Sequence, residues 1–180
     1  MIEVISVLQD RFLALLTAPF TYPDMLWILI PLFLTLIFIE LYFARYKFEE
    51  LGWSSAFGNA LVLLFVAIDS FRYLHVHGEL VYLSPRNILV ISLTLIGIVM
   101  SVTNFLHFWS KEFAYGISGS LPINFVAYMT ILIIYSNILL DILTFIASFG
   151  ILALFVAVIL LLRYIIPKAI ELDEDEYLER

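Results

Sequence analysis

From Leu121 to Ile166 the chain runs apolar for 46 residues, and this stretch limits the possible folds more than any other feature. As one helix it would measure about 69 Å at ~1.5 Å per residue, more than twice the ~30 Å of a bilayer's hydrocarbon core. A water-soluble domain could not hide it, because a chain of ~150 residues still exposes roughly 30% of its surface. The stretch therefore predicts two membrane-spanning helices joined by a tight turn. The cluster Ser136-Asn137 with Asp141 marks that turn.

Composition agrees. The 180 residues are 63% hydrophobic and 14% charged, against the ~45–50% and ~25% of soluble domains. Soluble enzymes, nucleic-acid-binding domains and disordered linkers are excluded. The net charge is −7, of which the segment from Glu171 to Arg180, with six acids and one base, supplies −5. The acidity thus belongs to a tail. There is no basic patch for nucleic acid. With no cysteine there are no disulfides, thiolate chemistry or cysteine metal sites.

The remaining spans follow from runs of about 20 apolar residues. Counting them gives an all-α, polytopic transmembrane bundle of about five spans: 25–43, 55–74, 88–109, 121–139 and 142–166. Lys111 to Gly119 reads as a short polar link. Before the bundle (24–166), residues 1–19 place Glu3, Ser6, Asp10 and Thr17 on one stripe at ~100° per residue. That pattern predicts an amphipathic helix lying in the membrane interface or packed on the bundle, stopped by Pro19 and Pro23. No cleaved signal is expected, because the early charge is Glu3 rather than a basic cluster. Residues 167–180 form the acidic tail.

Lys and Arg near span ends set orientation. Five spans put Arg11, Arg72 and Arg86 on the N-terminal side, against Arg45, Lys47, Lys111, Arg163, Lys168 and Arg180 on the other. Six against three places the N-terminus outside and the C-terminus in the cytoplasm, as a multi-pass protein of the cell membrane. Trp27, Trp53 and Trp109 fall at span ends, where amphipathic rings prefer to lie.

Ionisable groups inside a bilayer cost ~2.5 kcal/mol or more and are the default functional candidates. Here they are Glu40, Asp69, Arg72 and His107, joined by the amides Asn59 and Asn104. Antiparallel order brings Glu40, Asn59, Asn104, His107 and Asn124 to one level near the cytoplasmic side. Asp69 and Arg72, spaced i,i+3, are close enough to pair. Thr94, Gly97, Ser101 and Asn104 share one face of the third span, which suits either a close packing seam or a water-filled path. Asp141 fits a helix N-cap, and Pro31 is expected to bend the first span. His75 and His77 with Glu79 make a weak metal motif, because no third ligand is evident.

No catalytic motif, nucleotide-binding glycine loop or internal repeat is present, so no catalytic residue, metal or cofactor is assigned. Three classes of function remain: an oligomeric channel or transporter component using the polar layer; a non-catalytic accessory or scaffold subunit of a membrane complex; and, ranked last because its acids lie in different layers with no nucleophile or metal set, an intramembrane enzyme using Glu40 or Asp69 with His107. The expected partners are the lipid bilayer and either further copies of the chain or another membrane protein.

Overall fold

Hydrocarbon offers a backbone no water to bond with, so each crossing must satisfy its own N–H and C=O groups, and long apolar segments become helices. A computed structural model describes residues 2–46, 52–136 and 138–166. Lys47 to Leu51, Asn137 and the acidic tail over 167–180 lie outside the described residues. In chain order come α1 (Ile2–Thr21), a 3-10 turn (Pro23–Met25), α2 (Leu26–Arg45), α3 (Trp53–Val76), α4 (Pro85–Phe105), α5 (Lys111–Ile117), α6 (Ser120–Ser136) and α7 (Ile142–Ile165). The architecture is an all-helical bundle.

Among the described residues six helical segments, rather than five, are long and apolar enough to cross a membrane: α1, α2 with its leading turn, α3, α4, α5 with α6, and α7. The additional one is α1. Pro19 does not stop it but lies inside its last turn, where the missing N–H forfeits a single bond, to the carbonyl of Leu15. Pro31 is likewise accommodated within α2. Residues 111–117, expected as a link, form α5, capped by the Ser110 hydroxyl accepting the Phe113 N–H at 3.4 Å. Ser84 and Asp141 cap α4 and α7 in the same way, accepting the N–H groups of Asn87 at 3.2 Å and Thr144 at 2.7 Å.

Helix α4 ends at Phe105 instead of continuing to Trp109. His107 takes a left-handed φ of 52°, His107 N–H donates to Asn104 O at 3.3 Å, and Phe108 N–H donates to Thr103 O at 2.9 Å. These two bonds are a Schellman closure, usually built on glycine. Gly78, with φ 70°, closes α3 by the same pattern.

Contacts fix the directions. Glu40 meets Ser120 while Phe33 meets Tyr128 at 5.4 Å, so α2 and α6 run antiparallel. Phe33 meets Phe155 at 5.7 Å while Glu40 meets Arg163, so α2 and α7 run parallel. Asn59 meets Ser118 and Asp69 meets Tyr135, so α3 runs alongside α6. The bundle therefore has a Glu40 end and an Asp69 end.

Lipid tails are as apolar as leucine, so helices associate through close packing and hydrogen bonds rather than by leaving water. Glycines supply the approach at two seams. A Cβ on Gly97 of α4 would lie 2.7 Å from Leu64 Cδ2 and 3.3 Å from Leu63 Cβ of α3. One on Gly150 of α7 would lie 2.8 Å from two ring atoms of Phe12 on α1. Phe33, Tyr128 and Phe155 pack as three mutually contacting rings at the centre. Outside, Ile91, Leu95, Val99 and Val102 of α4 stay exposed, as suits a face wetted by lipid.

Candidate functional site

The polar groups of the Glu40 end converge on one feature, the break Ser118-Gly119-Ser120 between α5 and α6. A chain break at membrane depth is tolerated only where protein satisfies its freed backbone groups. Asn59 Nδ2, from α3, donates to Ser118 O at 2.8 Å. Asn104 Nδ2, from α4, donates to Ser118 Oγ at 2.8 Å and across to Ala56 O at 3.2 Å. Asn124 Nδ2 donates to Ser120 O at 2.7 Å. Ser118 is 0% exposed and Asn104 1%, so these bonds form without competing solvent. The Oδ1 atoms of Asn104 and Asn124 are buried without a partner among the described residues; the amide donors do the holding.

Glu40 sits beside this bracket, 2% exposed. Its Oε1 accepts from Ser120 Oγ, and its Oε2 accepts from Arg163 Nη2 at 2.7 Å and Nε at 3.2 Å. Two charge-assisted bonds and a hydroxyl thus match a carboxylate that would otherwise be costly in the membrane. Glu40, Asn59 and Asn104 reach the break from three different helices; each contacts Ser118 or Ser120 rather than the other two. Their level follows from antiparallel order. The break and Arg163, which complete the site, were not singled out by sequence. The Ser-Gly-Ser run between apolar segments was the available signal.

His107 does not join this layer. It lies beyond the end of α4, exposed, with its ring stacked on Trp53 at 4.3 Å. The stripe Thr94, Gly97, Ser101, Asn104 is a packing seam: Gly97 admits Leu63 and Leu64, and the Thr94 hydroxyl bonds its own helix at Val90 O, 2.8 Å away.

At the opposite end Arg72 donates to Asp69 Oδ1 from Nε at 2.9 Å and Nη2 at 2.7 Å. The Tyr135 hydroxyl donates to Asp69 Oδ2. The Tyr135 ring packs on Tyr73 at 3.9 Å, and the His77 ring lies 4.1 Å from Tyr73. Glu79 pairs with Arg86 rather than completing a ligand set with His75 and His77.

A lateral cleft of about 350 Å³ opens between α1, α2 and α7, floored by the Phe33, Tyr128 and Phe155 rings and reaching Glu40 at one extremity. Apart from Glu40 and the Tyr128 hydroxyl its walls are hydrocarbon. Asp141, which precedes the first turn of α7, also binds Arg11 of α1 at 3.2 Å, and its carboxyl is held below the ordinary value of 3.8, first by its bonds to Thr144 and then by Arg11.

Compared with known protein families, curated proteins and solved structures, the chain matches none.

Proposed function

We propose that this small integral membrane protein is a non-catalytic accessory subunit of a membrane complex, a scaffold rather than a conducting or transporting unit. One observation carries the reading: the polar layer is spent on structure. Asn59, Asn104 and Asn124 direct their donors at the Ser118–Ser120 break, and the Glu40 charge is met by Arg163 and Ser120. A conduction path needs polar groups presented to ions or water, and here the amide donors go to main chain and to Ser118, and the carboxylate to Arg163 and Ser120.

The second reading, an oligomeric channel or transporter component, draws on Glu40 itself, an intramembrane acid that lines the lateral cleft. Proton and potassium flux in liposomes separates the two. We expect the reconstituted protein to match protein-free vesicles. Flux above that level, abolished by Glu40→Gln, would overturn the scaffold reading and favour transport.

For orientation in the cell membrane we propose the Glu40 end as cytoplasmic, since sequence order puts Arg45, Lys47, Lys111, Arg163, Lys168 and Arg180 on that side against Arg11, Arg72 and Arg86 on the other. Phe12 meets Gly150, about 13 Å inside α7 at ~1.5 Å per residue. Helix α1 is also long and apolar enough to cross, so we take it as a crossing. Both termini are then cytoplasmic, in place of the external N-terminus of a five-span chain. An N-terminal tag accessible from outside intact cells would refute this.

A further inference from the structure

We propose that the cleft between α1, α2 and α7 is a binding site for one phospholipid, with an acyl chain in the cleft and the phosphate on Arg163. The site goes beyond the scaffold reading and does not depend on it.

Position is the first argument. Along α7 the cleft is lined from Ile151 to Leu162, about 17 Å at ~1.5 Å per residue. Along α2 it is lined from Leu26, the first residue of that helix, to Glu40, about 21 Å; one leaflet contributes roughly half of the ~30 Å hydrocarbon core, so the cleft takes an extended acyl chain that passes the midplane. It stops, at Glu40, in the leaflet where α7 is about to end, at Ile165. A lipid of that leaflet, entering sideways, has its tail beside the cleft and its head at the level of Arg163.

Chemistry is the second. Water does not fill an apolar cavity, which offers it no partners, and an empty one forfeits the dispersion contacts of its walls. The surrounding solvent is hydrocarbon chain, and the cleft is open to it. Proline and aromatic rings shape the walls: Pro19 from α1, Phe33 from α2 and Phe155 from α7.

The head group is the third. Arg163 gives Nε and Nη2 to Glu40, while Nη1 has no hydrogen-bond partner among the described residues and the side chain is 48% exposed. Glu40 holds the guanidinium plane in place at the cleft's extremity, leaving an N–H edge for a phosphate oxygen. Glu40 is in this respect a positioning residue.

The test counts bound lipid by native mass spectrometry on delipidated protein offered dioleoyl phosphatidylglycerol, dioleoylglycerol or oleic acid. We expect one phosphatidylglycerol per chain, bound about tenfold more tightly than dioleoylglycerol, which has the same tails and no phosphate. Leu154→Trp, at the cleft's half-exposed rim, should abolish binding of both without touching the ion pair. Glu40→Gln with Arg163→Gln, which leaves no unpaired charge, should bring phosphatidylglycerol down to the dioleoylglycerol level.

Undiminished binding by a folded Leu154→Trp protein would overturn the site. Equal affinity for dioleoylglycerol and phosphatidylglycerol in the unsubstituted protein would overturn the phosphate assignment. Displacement of phosphatidylglycerol by equimolar oleic acid would give the site to a fatty acid. A lipid-free dimer broken by Leu154→Trp would give the cleft to a second copy. Each of these refutes the proposal as stated.

Discussion

Arg163→Gln tests the buried acid most sharply. The substitution removes two donors, at 2.7 and 3.2 Å, from a carboxylate that is 2% exposed. Stripping one partner from a buried ion pair costs about 3–5 kcal/mol, because the other charge stays buried and unmatched. The guanidinium is 48% exposed at the helix end, which weakens its share, so we expect the low end, about 3 kcal/mol. Glu40→Gln is milder. It keeps the side-chain shape, and the freed Arg163 can extend toward the membrane surface, so the cost should be about 1 kcal/mol. With both replaced, two neutral amides can bond to each other, and the loss should be about 2 kcal/mol rather than the sum of about 4. Reversible unfolding in mixed micelles, followed by the fluorescence of Trp27, Trp53 and Trp109, gives all three values. Losses that add to within ~0.5 kcal/mol would show that the pair is not coupled and would refute the reasoning.

Three further outcomes follow from the packing and the caps. Gly150→Leu should destabilise by roughly 1–3 kcal/mol, because its Cβ would fall 2.8 Å from the Phe12 ring, and Phe12→Ala should recover part of that loss. Tyr135→Phe removes one interhelical hydrogen bond to Asp69 and should cost about 0.6–1.7 kcal/mol, read by the same unfolding assay. Asp141 is held below its ordinary 3.8, so its stabilising contribution is complete above that pH and is lost as the pH falls through the folded value. Asp141→Asn should flatten the acid limb of a stability–pH curve and leave the neutral region without pH dependence from this group.

How much was legible in the sequence depends on which physical signal each residue carries. The level shared by Glu40, Asn59 and Asn104 was legible, because alternating spans must return polar positions to the same depth. The Asp141 cap and the Asp69–Arg72 pair were legible from local spacing. What brings the polar groups together was not. Seven residues of α5 are too few for periodicity to register, so the Ser118–Ser120 break passed for the end of a link. Arg163 counted toward orientation, and only the parallel course of α2 and α7 reveals that it lies opposite Glu40. His107 was placed inside a span because α4 is closed by a histidine in the left-handed region, stacked on Trp53, where glycine would have been the usual signal. The polar stripe predicts the N-terminal helix, whereas its packing on α7 rests on Phe12 against Gly150, a contact between residues 138 positions apart.

The claim that the polar layer is a bracket for the chain break rests most directly on Asn104 and Ser118, joined at 2.8 Å in a site closed to solvent. A double-mutant cycle with Asn104→Ala and Ser118→Ala isolates that bond. Interhelical hydrogen bonds in membranes couple by about 0.6 kcal/mol on average and up to ~1.7, and full burial of both groups places this one toward the upper figure. A coupling energy of about 1–1.7 kcal/mol is the expected result; a coupling indistinguishable from zero would contradict the bracket.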